Sequence, residues 1–269
     1  MNATTHLTTA DLAALARDSW IDPATADAFG LYRVTSLEGA ELVGRSDRED
    51  YAGIVFPIFW PGEMQPREYF LRRDHPPMEQ RGDGTLKPRQ KYLAPPGRGN
   101  RLLFGPSESA SALTDATFPI VLVEGLKKTV AAWRLSRHAG SSSQFLACGI
   151  AGACNWRGTI GKTLDATGAR VDLKGVIPDF DRATWTGRAV TIFFDSDTAT
   201  NPKVSAARRG LMAELTRRGA QVTAPDLPVL DGLEKTGFDD LLAQWGPERA
   251  RTWMATAQST ASSADEAEV

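Results

Sequence analysis

Short apolar runs alternate with helical patterns over the second half of the chain, and this alternation limits the folds it can adopt. Three continuous apolar runs, typical of strands buried on both faces, lie at residues 119–123, 145–148 and 189–194. Apolar residues at helical spacing follow the first run, and Asn201-Pro202 begins another helix after the third. Such alternation predicts a parallel sheet covered by helices. We therefore expect an α/β fold with about four parallel strands.

The first half of the chain has a different pattern. Residues 53–59 and 67–73 predict two strands, whereas the residues before them carry an N-cap signal followed by apolar residues at helical spacing. We expect four parts: a helical segment at 1–50, a smaller α+β lobe facing nucleic acid at 51–117, the α/β metal-binding domain at 118–250, and a flexible acidic tail at 251–269.

A stretch rich in proline and glycine, residues 85–101, contains five cations and no acid. These cations are Lys87, Arg89, Lys91, Arg98 and Arg101. Tyr92 lies among them, and Arg72 and Arg73 end the preceding strand. A run of this kind is commonly a solvated surface, but aromatic side chains among cations can also stack on bases. The net charge of −2 excludes a polycation but not a local basic groove.

Carboxylates follow two of the predicted strands at the point where each strand ends. Glu124 directly follows the first strand, and Asp195 and Asp197 follow the third. Because the carboxyl ends of parallel strands meet at one edge of a sheet, we expect these three acids to lie close together. Such a cluster repels itself unless cations neutralise it, and hard oxygen ligands favour Mg²⁺ or Mn²⁺. The combination predicts a metal site, although each signal alone is weak.

A later acidic pair, Asp239-Asp240, allows two interpretations. One of these residues is the N-cap of a helix that runs to Trp245, or one of them lies at the rim of the same acidic cluster. The spacing alone leaves both interpretations open.

Other site types receive little support from the sequence. Its two cysteines and three dispersed histidines predict no zinc site. Residues 158–163 end like a phosphate-binding loop, but Trp156 stands where such a loop needs glycine, which argues against a P-loop ATPase. No apolar run is long enough to span a membrane and no signal peptide is recognisable, so we expect a cytoplasmic protein without a membrane partner.

The residues that end the first and third strands resemble the two signature motifs of the Toprim fold, which bacterial-type primases, topoisomerases and some nucleases share. More closely, the chain resembles a Toprim-like domain family of formally unknown function, common in plasmid and phage replication proteins. Four stretches carry this resemblance: 124–128, 152–158, 195–204 and 235–242. The region before them, with 53–58 and 91–93, is similar to the upstream half of a bacterial primase catalytic core.

This resemblance implies a Toprim fold preceded by a smaller mixed α+β primase-like lobe, and a Mg²⁺-dependent DNA primase in the replication of a mobile element. Glu124, Asp195 and Asp197 would be catalytic and would bind Mg²⁺ or Mn²⁺, with Asp239 or Asp240 as a later ligand. By the same resemblance, Arg72 and Lys91 would face template or nucleotide. The basic residues themselves add further candidates for nucleic-acid or nucleotide contact: Arg73, Lys87, Arg89, Tyr92, Arg98, Arg101, Lys127 and Lys128. For Lys127 and Lys128, a solvated position on a helix is an equally open interpretation. The expected partners are single-stranded DNA, nucleoside triphosphates, and a separate helicase or template-recognition protein.

Position 128 departs from the primase pattern. Bacterial primases usually carry an aspartate where Lys128 stands, although a Lys-Lys pair is usual in the closer family. Two alternatives therefore stay open. The chain is a Toprim nuclease that uses the same acids, or it is a non-catalytic DNA-binding module of a replisome. A topoisomerase is least expected, because we find no room for the gate domains and tyrosine module.

Overall fold

The N-terminal segment combines three helices with one short strand. The structure, a computed structural model, describes residues 6–267 apart from 47, 81, 83, 139 and 141, and describes no side chains after residue 258. The elements are α1 (Thr9–Ser19), α2 (Pro23–Phe29), β1 (Tyr32–Val34) and α3 (Ser36–Leu42). Thr8 caps α1 as its sequence predicts, because its hydroxyl accepts from the Asp11 amide while the Asp11 carboxylate accepts from the Thr8 amide. The strand β1 was not expected.

An antiparallel sheet forms the lobe that follows. The strands of this lobe are β2 (Gly53–Ile58), β3 (Glu68–Arg73), β4 (Met78–Gln80), β5 (Leu86–Pro88) and β6 (Tyr92–Leu93). The sheet has the order β1-β2-β3-β6, and β4 and β5 form a separate hairpin. The two predicted strands are present as β2 and β3. The predicted basic loop is therefore interrupted by two short strands.

The second half of the chain alternates strands and helices. In chain order these are β7 (Leu102–Leu103), α4 (Ser111–Thr114), β8 (Ile120–Glu124), α5 (Leu126–Arg137), β9 (Leu146–Ile150), β10 (Arg157–Leu164), β11 (Arg170–Val176), β12 (Ala189–Phe193), α6 (Pro202–Arg217), β13 (Gln221–Thr223) and α7 (Phe238–Ala267). One sheet has the order β13-β12-β8-β9-β7. Its first four strands are parallel and β7 is antiparallel. A mixed α/β fold with a largely parallel sheet is thus confirmed.

Side chains from opposite faces of β8 enter two different cores. Val121 and Val123 pack in the core that also holds α5, α7 and the N-terminal helices. Ile120 and Leu122 face the core that is covered by α6. This alternation explains why the strand is apolar at every position. Because residues of β2 share the first core, the N-terminal lobe packs directly against the α/β domain.

Two features differ from the sequence-based expectation. The strands β10 and β11 form an exposed antiparallel hairpin that the apolar pattern did not reveal, and residues 158–163 lie within β10. The helix α7 continues through the region expected to be a flexible tail, with a break at Gly246. Trp253 lies 5.7 Å from the Phe193 ring and Met254 is buried, so apolar packing extends past residue 250. Among the described residues, no helix is both long enough and apolar enough to cross a membrane.

Candidate functional site

Two carboxylates meet at the carboxyl edge of the parallel sheet. Glu124 is the last residue of β8, and Asp195 follows β12 by two residues. The two strands are paired neighbours, with Val123 opposite Phe193. Gly125 makes the turn into α5 with φ of 105°, a backbone conformation that L side chains rarely adopt. Glu124 and Asp195 are therefore brought together as the strand order predicts.

Two lysines hold Asp195. The Lys128 ammonium lies 2.8 Å from Oδ1, outside good hydrogen-bond geometry, and the Lys235 ammonium donates to Oδ2 at 2.8 Å. Burial alone would raise the pKa of Asp195, but Lys128 and Lys235 bring it below its ordinary value. The pKa of Lys128 is raised despite its burial, because Asp195 and Asp239 favour the charged form. Asp195 is thus an ionised, almost fully buried carboxylate between two ammonium groups.

Glu124 is less well compensated than Asp195. Its Oε2 atom is buried and has no hydrogen-bond partner among the described residues. Burial, and then the charge of Asp195, raise the pKa of Glu124 above its ordinary value. This carboxylate therefore combines restricted solvation with an available acceptor oxygen.

The later acidic pair lies in the first turn of α7, so neither residue is the N-cap that one interpretation required. Asp239 is buried, with Lys127 Nζ 3.7 Å from its carboxylate, and its charge acts on Lys128, which also pairs with Asp195. The carboxylate of Asp240 accepts from the Gly237 amide at 2.7 Å, which caps the start of α7. Asp239 therefore joins Glu124 and Asp195 in what we call the acidic cluster.

Asp197 lies at the rim of this cluster. It belongs to the short 3₁₀ turn Ser196–Ala199, and its carboxylate is 3.9 Å from the Lys235 ammonium. Its backbone carbonyl accepts from the Asn201 amide, just before α6 begins. Asp197 is thus more exposed than Asp195 and more weakly paired.

In this arrangement the carboxylates do not fit the Mg²⁺ or Mn²⁺ centre that the sequence predicts. Within the described ranges, no three His, Cys, Asp or Glu side chains are placed to hold one metal ion. The ammonium groups of Lys128 and Lys235 neutralise Asp195, whereas we expected a metal ion to neutralise it. The unpartnered Glu124 oxygen is a potential ligand, but the described side chains supply no set of three ligands around it.

Four of the predicted cations converge beside the acidic cluster. They are Arg72, Lys91, Lys127 and Lys128, which we call the cationic cleft. Burial, and then the charges of the other three members, lower the pKa of Lys91. Arg72 lies opposite Tyr92 in the β3–β6 pair, and its Nε atom is buried without a hydrogen-bond partner in the described residues. The cleft therefore joins the antiparallel lobe to the first turn of α5.

Tyr92 and Lys127 bound this cleft, but both also make contacts within the protein. The Tyr92 ring is half-buried, with its centroid 6.3 Å from that of Phe56. Burial raises the pKa of its hydroxyl. Lys127 donates to the Ser19 hydroxyl at 2.6 Å, so α1 helps to position it.

Arg73, by contrast, points away from the cleft because successive side chains of a strand face opposite sides. It is buried, pairs with Glu49 at 2.9 Å, donates to the Asp50 carbonyl at 2.8 Å, and lies over the Tyr51 ring. These contacts make Arg73 a structural residue of the N-terminal lobe. It is not available to nucleic acid as the sequence interpretation required.

The remaining basic residues do not join the cleft. Lys87 lies on the exposed β4–β5 hairpin, and Arg89 pairs with Glu49 at 3.4 Å. Arg98 and Arg101 lie 3.7 and 3.9 Å from the buried Glu68 carboxylate. They form a second basic area along the loop before β7.

Sequence reasoning missed Lys235 as a site residue. It stands within one of the stretches that carry the family resemblance, directly before Thr236, whose backbone amide is hydrogen-bonded to the Ser196 side chain. That contact brings residues 235–237 against the loop after β12. Only the Asp pair nearby hinted at this placement, and it does not specify a lysine contact.

The fold and the site together define an α/β protein with an acidic cluster and a cationic cleft at the carboxyl edge of its parallel sheet. A profile of the family described as "Domain of unknown function (DUF3854)" matches residues 110–249, slightly more than half of the chain. The chain belongs to this family. Neither the curated proteins nor the solved structures gave a match. The matched region contains the acidic cluster and its lysines, whereas Arg72 and Lys91 lie before it.

Proposed function

We propose that the protein is a primase-like nucleotidyltransferase that acts on single-stranded DNA in the cytoplasm, in the replication of a plasmid or phage. One observation carries this proposal: cations from two lobes converge beside a buried acidic cluster. Cationic grooves hold polyanionic strands, and nucleotidyl transfer needs both phosphate binding and a proton acceptor near the phosphate. The finer fold assignment, a Toprim domain with a primase-like lobe before it, belongs to the same proposal.

The residues of the site divide the work in this proposal. Arg72 and Lys91 bind phosphates of the template strand or the incoming nucleotide. Glu124 accepts the proton of a 3′-hydroxyl while that oxygen forms a bond to the α-phosphorus and pyrophosphate leaves. The Oε2 atom of Glu124 supports this role, because it accepts no hydrogen bond from any described residue and is available to accept a proton. Lys128 and Lys235 keep Asp195 charged and in place.

A divalent metal remains a prediction of the family resemblance. Because the carboxylates do not fit a metal centre in this arrangement, we assign no step to Mg²⁺ or Mn²⁺. Because Mg²⁺ can also be held by the phosphates of a nucleotide, the activity assays include Mg²⁺ or Mn²⁺.

A primer-synthesis assay with labelled nucleotides on single-stranded DNA tests the proposal. Wild-type protein should incorporate label, and Glu124→Gln and Asp195→Asn should not. The matched control is Asp226→Asn, since Asp226 is exposed and, among the described residues, its ion pair is with Arg208 on α6. Incorporation that persists in both site variants would refute the catalytic assignment.

A non-catalytic DNA-binding module is the second candidate. The pairing of Asp195 with two lysines favours it, because this carboxylate is already neutralised without a metal. It predicts salt-sensitive DNA binding that is unchanged in Glu124→Gln, and no incorporation by wild type. A strand-cleavage assay run in parallel identifies the nuclease alternative.

A further inference from the structure

A groove lies between the base of the β10–β11 hairpin and the N-terminal half of α6. Its volume is about 690 Å³, within the roughly 300–1,000 Å³ that is common for ligand sites. The hairpin wall carries Arg157 and Lys174, and the α6 wall carries Lys203. Small residues of α6 form the floor: Ala206, Ala207 and Gly210.

The floor of the groove is apolar and tightly built. The indole of Trp156 is buried against α6, where a Cβ atom at Gly210 would lie 3.0 Å from the ring. Glycine at position 210 therefore lets the tryptophan approach the helix. The surface that results has no bulky side chain from α6, which leaves room for a flat ring or a sugar.

The rim of the groove is positively charged. Its lining contains three cations and no carboxylate. Lys174 is paired with Asp172 at 3.1 Å, but Arg157 and Lys203 form no ion pair with any residue that the structure describes. Cations over an apolar floor complement a strand whose bases rest on the floor and whose phosphates lie at the rim.

One hydrogen bond joins this groove to the rest of the basic surface, and the chain itself leads from the acidic cluster to the groove. The Asn100 side chain donates to the Arg157 carbonyl at 2.7 Å, which fixes the loop carrying Arg98 and Arg101 against the hairpin base. On the other wall, α6 begins directly after the turn that contains Asp197. The α6 wall of the groove therefore starts close along the chain to Asp195 and Asp197.

We propose that this groove binds a segment of single-stranded DNA that extends beyond the cationic cleft. The inference rests on the proposed function for the identity of its ligand. Arg157 and Lys203 contact phosphates, and Trp156 with the small residues of α6 supports the bases or sugars. The largely exposed β10–β11 hairpin then forms one wall of a binding site for single-stranded DNA.

Cys154 provides a direct probe, because it lines the groove and is exposed, whereas the protein's other cysteine, Cys148, is buried. The experiment measures the rate of Cys154 alkylation in the full-length protein with and without a saturating oligothymidylate. Fluorescence anisotropy in the same buffer reports that the oligonucleotide is bound. We expect binding to slow alkylation several-fold. An unchanged rate with bound oligonucleotide would overturn the inference.

A second measurement uses the salt dependence of affinity. Each lost phosphate contact on a single strand should reduce the slope of log K against log [salt] by about 0.7, so Arg157→Gln with Lys203→Gln should reduce it by about 1.4. The matched control is Arg209→Gln, an exposed arginine of α6 that donates to the Ser205 hydroxyl and lies outside the groove lining. Equal slopes for the double variant and the control would contradict the inference.

The results separate this inference from the proposed function. Protection of Cys154 without nucleotide incorporation by wild type would support the groove and refute the transferase. Incorporation by wild type without protection would support the transferase and refute the groove.

Discussion

Replacing Lys128 with methionine tests whether an ammonium group neutralises the buried centre of the site. Methionine keeps most of the length and apolar character of the lysine stem but removes its charge. In the folded protein Asp195 is 5% exposed, and Lys128 lies 2.8 Å from it. The variant therefore leaves a buried carboxylate with one cation instead of two.

The expected loss follows from the environment of Asp195. Breaking a buried ion pair by removing one partner typically costs ~3–5 kcal/mol. Lys235 remains 2.8 Å from Oδ2, but its side chain is 53% exposed and is well solvated. We therefore expect Lys128→Met to lower the free energy of unfolding by about 2 kcal/mol at pH 7.

The pH dependence of this loss has a defined sign. The pKa of Asp195 is lowered in the folded state, so its pairing stabilises the protein above the unfolded pKa of ~3.9 and is lost on acidification. The pKa of Lys128 is raised, so its contribution is complete below the unfolded pKa of ~10.4. The difference between wild type and variant should be full between these limits and should shrink below about pH 4.

Urea unfolding followed by tryptophan fluorescence at several pH values measures this difference. The control is Lys127→Met, because Lys127 is 3.7 Å from Asp239 and more exposed than Lys128. Its loss should be smaller than that of Lys128→Met, because the two charges lie farther apart. A difference below about 0.5 kcal/mol for Lys128→Met, or one that grows on acidification, would refute the reasoning.

Four further substitutions test other parts of the structure. Glu124→Gln should raise the free energy of unfolding at pH 7 by about 1 kcal/mol, because burial disfavours the ionised form of Glu124. Denaturation curves at several pH values should show that this gain fades below about pH 4. A variant that is no more stable than wild type at pH 7 would contradict the burial argument. Arg73→Met should lower the free energy of unfolding by about 2 kcal/mol in urea, with DNA affinity unchanged, because its buried ion pair with Glu49 is lost. Arg72→Met should weaken DNA affinity, measured by fluorescence anisotropy, and should leave the free energy of unfolding unchanged. The reverse pattern would show that the roles of the two arginines are exchanged. Gly149→Ala should cost about 1–3 kcal/mol by thermal denaturation, since its Cβ would lie 1.9 Å from the Thr129 hydroxyl, and an unchanged melting temperature would show that α5 can shift.

The parallel sheet was predictable because its central strands are buried on both faces. Continuous apolar runs identified β8, β9 and β12, and the acids that follow two of them had to lie at one edge. The β10–β11 hairpin escaped the same logic. Its residues are largely exposed and include glycines at positions 158, 161 and 175, so no apolar period marks it.

The side-chain partners of the site could be predicted only in part. Sequence reasoning placed Glu124 and Asp195 together, since strand order determines that contact. The contact between Lys128 and Asp195 depends on how α5 starts after Gly125, and the contact of Lys235 depends on a distant loop. The prediction that Arg73 contacts nucleic acid is wrong, because its charge alone does not show which face of the strand its side chain lies on.

Template-dependent nucleotide incorporation by the purified full-length protein tests the central claim most directly. We predict that the wild-type protein incorporates nucleotides on single-stranded DNA. Glu124→Gln should reduce the rate of incorporation at least about a hundred-fold. Arg72→Met should reduce it about ten-fold. The exposed control Asp226→Asn should match wild type. Incorporation by Glu124→Gln at the wild-type rate, or none by wild type with any nucleotide and either Mg²⁺ or Mn²⁺, would contradict it.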